Sequence, residues 1–195
     1  HESFMDEMAE QAGADPLQFR IDHSDNPRRR AVLDRLRVES GWDDALPDGH
    51  GIGVAMVDSF ETVVAQAVHA SVTPDGGVQV HRVVSVVDCG RVINPSAAEA
   101  QVTGPVIYGL TSALFGEITL EGGALQQPNF PDYEMLRLSN TPAQAVHFIE
   151  SDEAPGGLGE PAVPPVTPAL TNALYRITGE RIRSLPITRS GLYAV

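Results

Sequence analysis

A short glycine-rich segment carries the residue best suited to chemistry. The run Gly-Gly-Leu-Gly-Glu-Pro at 156–161 holds a single carboxylate, Glu160, just before an apolar run that reaches Tyr175. Glycines let the backbone adopt unusual conformations and come close to a ligand, because they lack a Cβ. A carboxylate held in such a turn is a candidate general base. The alternative is an ordinary surface turn, since short motifs of this kind also occur without function.

Two further segments carry polar residues that can contribute to the same site. The first runs from Asp88 to Asn94 and Pro95, where a strand passes into a helix, and free N–H groups at a helix start bind anions. Asp88 and Asn94 are equally explained as turn and cap residues. The second is Gln101, about two turns into that helix. Its amide can donate to and accept from a heterocycle or a phosphate, or simply face solvent.

The histidines do not indicate a metal centre. His69, His81 and His147 fall within expected strands, and no H-x-x-x-H or related ligand spacing occurs. The sequence also lacks a G-x-S-x-G motif, a Walker loop and a dinucleotide-binding glycine fingerprint. We therefore predict structural or surface histidines and no set of protein ligands for a metal.

Composition and charge exclude several classes of function. The 195 residues are 42% apolar and 6% aromatic, which is enough for a core, and no stretch is long and apolar enough to cross a membrane. The net charge of −13 repels nucleic acid, and Arg28–Arg30 is too short a basic cluster to offset it. Cys89 is the only cysteine, which excludes an internal disulfide and a four-cysteine metal or iron–sulfur site.

Local signals predict helices in the first part of the chain. The first covers 3–12, with Ser3 as its cap, while Asp15-Pro16 and Asn26-Pro27 start two more, the last ending at Gly41. The apolar stripe expected on the first helix consists of Phe4, Met5, Met8 and Ala12.

Valine-rich runs with partial alternation follow residue 50 and predict β-strands. The expected strands cover 51–57, 62–72, 78–87 and 145–149, with a small hairpin around Gly122-Gly123. Helices are expected from Asn94 to Leu114 and from Pro165 to Thr178. Because helices and strands come in blocks, the sequence predicts an α+β fold with a mixed sheet and packed helices. We divide the chain into a helical arm (1–42), a linker (43–50) and an α+β domain (51–195).

Several motifs, taken in order, resemble one enzyme family. They are Phe4-Met5-Asp6-Glu7, Asp15-Pro16, Val64-Ala65-Gln66, Asp88-Cys89-Gly90, Asn94-Pro95, Gln101, Gly104 and Gly159-Glu160-Pro161. This order is similar to the large, molybdenum-binding subunit of the xanthine dehydrogenase/aldehyde oxidase family, and most similar to the branch of the isoquinoline 1-oxidoreductase beta subunit. The resemblance runs from His1 to Val195 and implies the C-terminal portion of a longer subunit, within a molybdopterin-binding domain.

The resemblance implies a role for individual residues. Glu160 matches the family's catalytic glutamate, and Gln101 matches a glutamine that hydrogen-bonds the pterin cofactor. Gly157 and Gly159 belong to a turn that brings the backbone close to the metal centre. In the family the pterin holds the metal, so no protein ligand is expected.

The implied activity is hydroxylation of an N-heterocycle or an aldehyde, with water as the oxygen source and Glu160 as general base. The implied cofactor is the molybdenum–pterin in its cytosine dinucleotide form. Iron–sulfur clusters would lie on a separate small [2Fe–2S] subunit, and the upstream portion of the large subunit would complete the pocket. The sequence departs from the family at Thr103 and Pro105, where relatives usually have an acidic residue and a second glycine.

A different class of function stays open. The chain can instead be a structural or docking module of the same fold, non-catalytic and inert without its partner chain. Cofactor bound by the assembly, and lost in Gln101→Ala, would distinguish the enzyme from this alternative. The sequence does not decide the substrate, the electron acceptor or the compartment, cytoplasmic or periplasmic.

Overall fold

The computed structural model describes all residues from 1 to 195. The helices are α1 (Glu2–Gln11), α2 (Pro16–Asp22), α3 (Pro27–Ser40), α4 (Pro95–Leu114) and α5 (Val163–Thr178). The strands are β1 (His50–Ser59), β2 (Thr62–Val72), β3 (Gly77–Asp88), β4 (Leu120–Glu121), β5 (Ala124–Leu125), β6 (Ala143–Phe148) and β7 (Tyr193–Ala194). None of the helices combines the length and the apolar composition that a membrane crossing requires.

The main sheet is mixed, as the sequence predicts. Its strands lie in the order β1-β2-β3-β6, and the short β7 pairs with the start of β3. The first three strands form an antiparallel meander, whereas β6 lies parallel to β3. A parallel pair needs a long connection, and here α4 and the separate β4–β5 hairpin lie within it. The α+β prediction is confirmed.

Helices cover both faces of this sheet. On one face, Leu110 of α4 and Leu170 of α5 share an apolar cluster with Val64 of β2. On the other face, Leu36 of α3 shares a second cluster with Ile52 of β1. Because both faces are buried, β2 and β3 are nearly continuous apolar runs. The helical arm therefore packs against the sheet, while the domain boundary at 43–50 stays a prediction.

Side-chain caps begin three helices where the sequence predicts them. Side-chain oxygens of Asp15, Asn26 and Asn94 accept backbone N–H bonds of 2.8, 2.9 and 3.1 Å at the starts of α2, α3 and α4. Gly41 and Gly179 end α3 and α5 in the left-handed conformation, with φ of 67° and 74°. These boundaries follow from local chemistry alone.

The start of α1 differs from the prediction. The helix begins at Glu2 and has no side-chain cap. The hydroxyl of Ser3, expected to be that cap, instead lies 3.5 Å from the Thr171 hydroxyl of α5. A contact with an element distant in sequence replaces the local one.

The apolar stripe predicted for α1 faces outward in this chain. Phe4 and Met8 are 60% and 44% exposed. The buried side carries Asp6, whose carboxylate pairs with Arg20 at 3.6 Å and with Arg181 at 2.9 Å. A buried carboxylate is stable only where opposite charges meet it. Arginines from α2 and from the segment after α5 therefore decide which face of α1 turns inward.

β1 is an edge strand whose outer side is closed by side chains. Ile52, Val54 and Met56 turn backbone groups away from β2. Their partners are Arg176 at 3.2 Å, Asn172 at 3.1 Å and Glu2 at 2.9 Å. Closing an edge in this way prevents a further strand from pairing with it.

Candidate active site

Hydrogen bonds to two other segments hold the glycine-rich turn in place. The N–H groups of Gly156 and Gly157 donate to the carbonyls of Cys89 and Phe60, each at 2.8 Å. The hydroxyl of Thr62 donates to the Gly157 carbonyl at 2.7 Å. A Cβ on Gly156 would lie 2.5 Å from the Thr62 hydroxyl, so this position requires glycine. The turn is fixed between the β1–β2 connection and the loop after β3.

The β1–β2 connection that supports the turn was not identified from the sequence. Because Ser59 pairs with Thr62, only Phe60 and Glu61 join the two strands. Two-residue connections of this kind favour positive φ at both positions, and the values are 54° and 62°. For residues other than glycine this conformation costs roughly 1–2 kcal/mol each. The short gap between the predicted strands 51–57 and 62–72 could have indicated this tight connection.

The structure places Gln101 next to the turn that carries Glu160. Gln101 lies on α4, and its Oε1 atom is 3.6 Å from the position that a Cβ on Gly159 would occupy. Glu160 follows directly, and its backbone carbonyl accepts from the N–H of Val163 at 2.8 Å, which leads the chain into α5. The side chains of Gln101 and Glu160 are exposed and bind no other residue of the chain. A free amide thus lies beside the turn that carries a free carboxylate.

The loop after β3 forms the other side of the site. The N–H of Arg91 donates to the Glu153 carbonyl at 3.0 Å. A Cβ on Gly90 would lie 2.2 Å from the Ala154 carbonyl, so the loop and the segment before the turn are in close contact. A groove of about 240 Å³ lies between this loop, the first turns of α4 with Gln101, and the glycine-rich segment.

Asp88 and Cys89 are buried, and of the two only Cys89 contributes to the lining of the groove. Asp88 is buried, and Arg28 donates to both of its carboxylate oxygens, at 2.8 and 3.0 Å. Burial opposes ionisation, but the hydrogen bonds from Arg28 and from the N–H of Gly90 outweigh it and hold the pKa of Asp88 below its ordinary value. Burial raises the pKa of the Cys89 thiol, which keeps it protonated and unreactive.

The histidines take structural positions. His69 Nε2 lies 2.9 Å from the Ser40 carbonyl, and His81 Nε2 lies 2.7 Å from the Ser71 hydroxyl. Burial lowers the pKa of His69 and of His81, so both rings are neutral at pH 7. His147 lies on β6, and none of the three lines the groove. No cluster of three or more His, Cys, Asp or Glu side chains is placed to hold a metal ion.

A buried glutamine supports the far side of the turn, and the sequence did not single it out as a site residue. The side chain of Gln66 on β2 donates to the carbonyl of Ala162 and to the hydroxyl of Ser85, both at 3.1 Å. Ala162 follows Pro161, so this bond fixes the chain just after Glu160. A glutamine within a valine-rich strand was the available signal, because a buried amide needs partners.

Comparison with known proteins decides the family. A family model described as a molybdopterin cofactor-binding domain matches residues 36–142, more than half of the chain. The chain belongs to this family. The resemblance to molybdenum-binding subunits of the xanthine dehydrogenase/aldehyde oxidase type is thereby confirmed.

Two relatives of this molybdopterin-binding chain match it along almost its whole length. The isoquinoline 1-oxidoreductase subunit beta of Brevundimonas diminuta is 36% identical over 95% of this chain and 24% of its own. A membrane-bound aldehyde dehydrogenase of Gluconacetobacter polyoxogenes, named for pyrroloquinoline quinone, is 32% identical over 95% of this chain and 27% of its own. The chain therefore spans about a quarter of the length of these curated relatives.

Solved structures share the fold of the molybdopterin-binding chain. The aldehyde oxidoreductase from Desulfovibrio gigas superposes with a TM-score of 0.78 over 94% of this chain and 39% of that one. The aldehyde oxidoreductase from Desulfovibrio desulfuricans superposes with a TM-score of 0.78 over 95% of this chain and 38% of its own. At 12% identity in each case, the likeness concerns the arrangement of helices and strands.

Proposed function

We propose that this chain is the part of a molybdenum hydroxylase's catalytic subunit that supplies the general base, Glu160. The enzyme would oxidise an N-heterocycle or an aldehyde with water as the oxygen source. One observation carries the proposal: Glu160 is exposed and unpartnered on a turn that hydrogen bonds hold beside Gln101. A general base must be free to accept a proton and must be carried in position; the Glu160 carboxylate has no partner in the chain, and hydrogen bonds hold the backbone that carries it.

The residues beside Glu160 fit a pterin cofactor. The amide of Gln101 offers a donor and an acceptor that no group of the chain uses. Gly157 and Gly159 are exposed, so a ligand can approach their backbone without meeting a Cβ. In this proposal Gln101, Gly157 and Gly159 hold the molybdenum–pterin cofactor, in its cytosine dinucleotide form.

Each part of the reaction then belongs to a particular chemical group. When bound, the cofactor supplies the acceptor for the two electrons of the oxidation. Glu160 takes a proton from the oxygen nucleophile through a carboxylate oxygen that no other residue binds. The bonds from Thr62 to Gly157 and from Gln66 to Ala162 hold the backbone on either side of Glu160 in place.

The proposal requires further protein. The only cysteine, Cys89, is buried, so the iron–sulfur clusters that carry the electrons away are assigned to a small [2Fe–2S] subunit. The groove of about 240 Å³ is smaller than most small-molecule sites, which hold roughly 300–1,000 Å³. We assign the missing walls to the upstream portion of the same subunit and expect this chain to be inactive alone.

The alternative is a non-catalytic docking module of the same fold. The small, incomplete groove favours it. Cofactor analysis of the assembled protein distinguishes the two. Bound molybdenum and pterin support the enzyme, their absence supports the docking module, and pyrroloquinoline quinone in their place contradicts the proposed cofactor.

Glu160→Gln in the assembled enzyme tests the base directly. Glutamine keeps the size of the side chain but cannot accept the proton at neutral pH. General-base catalysis contributes roughly 10²–10⁴-fold, so we expect kcat to fall by about that factor. Molybdenum content should stay unchanged, because the Glu160 side chain binds nothing in the chain.

Glu180→Gln is the matched control, since Glu180 is also exposed and its carboxylate binds no other residue. We expect wild-type turnover from this control. Turnover near the wild-type value in Glu160→Gln at full molybdenum loading would show that Glu160 is not the base.

A further inference from the structure

The second edge strand of the main sheet, β6, has an open side. The N–H of Ile149 donates to the Val87 carbonyl at 2.8 Å, so residues in phase with Ile149 face β3. Gln144, Val146 and Phe148 alternate with these and turn their backbone N–H and C=O groups away from β3. No other strand pairs with this side of β6, and no side chain bonds these groups.

The two edges of the sheet are therefore treated differently. The outward backbone groups of β1 are bonded by Glu2, Asn172 and Arg176. β6 has none of the features that normally block an edge, since its residues Ala-Gln-Ala-Val-His-Phe include no proline, lysine or carboxylate. An open edge of this kind binds a further strand through main-chain hydrogen bonds.

On both faces of the sheet, β6 contributes half-buried apolar side chains that a neighbouring apolar strand could cover. Val146 and Phe148 pack against the cluster formed with α4 and α5, and Ala145 and Ile149 pack against the cluster formed with α3. All four are only half-buried, so a strand beside β6 would complete both layers. A strand buried on both faces is a short run of apolar residues.

The open edge leads towards the candidate active site. A groove of about 380 Å³ begins at the end of β6, between Phe148–Ser151 and the loop from Gly90 to Pro95. Arg91 lines this groove and also the one beside Gln101. Exposed carboxylates lie at this end: Glu150, Asp152 and Glu153. A segment that follows β6 and continues here therefore reaches the cofactor groove and fits best with basic residues at that end.

We infer that in the whole protein β6 is paired by an extended apolar segment of the same molybdenum subunit, from outside these 195 residues. This chain covers 24% of the isoquinoline 1-oxidoreductase relative, so subunits of this family have ample further chain to supply it. The inference rests on the proposed function, in which that further chain completes the cofactor groove. A second copy of the present sequence would not complete the cofactor groove, because it contains the same part of that groove and lacks the rest. In the segment before β6, Phe130 and Leu138 are also exposed, at 96% and 93%.

Hydrogen exchange on the assembled protein tests the pairing at single amides. The N–H groups of Ala145 and His147 face β3 and serve as internal references. We expect Gln144, Val146 and Phe148 to be protected to within about tenfold of those references, because amides in a paired strand open only with the strand. Exchange at the rate of unstructured amides would overturn the inference.

Two substitutions at Gln144 test the contribution of its backbone N–H, which points away from β3. Gln144→Pro removes it without touching the bonds to β3, and proline is tolerated on the open side of an edge strand. Gln144→Ala shortens the side chain but keeps the N–H. We expect exchange at Val146 and Phe148 to accelerate about 2- to 13-fold in Gln144→Pro, the equivalent of one hydrogen bond, and not in Gln144→Ala. Equal exchange in the two variants would contradict a paired edge.

A photo-crosslinking side chain in place of Gln144 identifies the occupant. A crosslink to a segment of the same subunit outside these residues supports the inference. A crosslink to a second copy of the chain or to the small subunit overturns it. None of these measurements depends on turnover or on Glu160, so failure of this inference and failure of the proposed base are distinguishable.

Discussion

Two carboxylates near the glycine-rich turn show how surroundings assign different roles to one chemical group. Asp88 is buried, and Arg28 binds both of its oxygens, so its charge stabilises the end of β3. Glu160 is exposed, and nothing in the chain binds its oxygens. The pKa of the first is held below its ordinary value by Arg28, whereas the second has no partner in the chain. This contrast makes Glu160 the better candidate for acid–base chemistry.

Gln101→Ala separates cofactor binding from the chemical step. Alanine favours the helix at least as well as glutamine, so α4 should persist. We expect the assembled enzyme to lose molybdenum and pterin first, with activity falling only in proportion to occupancy. Gln11→Ala, an exposed glutamine at the end of α1, is the control. Full occupancy with reduced kcat in Gln101→Ala would instead give Gln101 a role in the reaction itself.

Glu160 and Gln101 could be named as site residues from the sequence, but the bonds that hold the turn could not, although one of the residues that make them, Gln66, belongs to one of the short motifs. Glu160 and Gln101 stand in an ordered series of short motifs that resembles one family. Thr62 and Gln66 act on the turn through bonds that span 95 and 96 positions of the chain. No local pattern encodes such bonds, because they arise only once β2 and the turn lie side by side.

At the level of elements, the β1–β2 connection stores strain beneath the glycine-rich turn. Phe60 and Glu61 are both left-handed, and the Glu61 side chain makes no hydrogen bond. Glu61→Gly should therefore raise the free energy of unfolding by about 0.5–1 kcal/mol, since relief of strain exceeds the added entropy of the unfolded chain. Denaturant titration of the assembled or isolated chain measures this change.

The control for that measurement is Glu180→Gly, which places glycine where φ is not positive. It should leave the free energy of unfolding unchanged or lower it. A decrease in Glu61→Gly as large as that in the control would show that the connection is not strained.

The sequence predicted element boundaries correctly where local chemistry sets them. The predictions failed where contacts with distant parts of the chain set the boundary instead. Asp15, Asn26 and Asn94 cap their helices within a few residues of sequence, and all three were foreseen. The start of α1 was predicted wrongly, because the Ser3 hydroxyl lies beside Thr171 of α5 instead of capping the helix. The inward face of α1 was not predicted, and it is set by Arg181, far along the chain, which binds Asp6. An apolar stripe predicts a buried face only when the partner surface is apolar too.

For the whole molecule, ion pairs tie the first helix to the last segment of the chain. The chain has 26 acidic and 13 basic residues. Arg181 and Arg183 pair with Asp6 and Glu7 of α1 at 2.9 and 2.6 Å. Opposite charges thus hold the polar side of α1 against the segment after α5, and the apolar side of α1 faces outward.

Phe4 and Met8, four residues apart on one face of α1, form an apolar surface that further protein should cover. We expect the isolated chain to bind an apolar dye and to associate, either with itself or with the rest of the subunit. Replacing both residues with glutamine removes one to two kcal/mol of apolar contact, so association should weaken by roughly 5- to 30-fold.

Val38→Gln is the control for this surface, because Val38 is 75% exposed on α3, away from that face of α1. Single exposed apolar residues are common and need no partner, so this variant should associate like wild type. Light scattering and dye binding across a wide concentration range measure the effect. A clean monomer without dye binding in the wild-type chain would show that the α1 surface needs no cover, and the missing walls of the cofactor groove would then have to attach elsewhere.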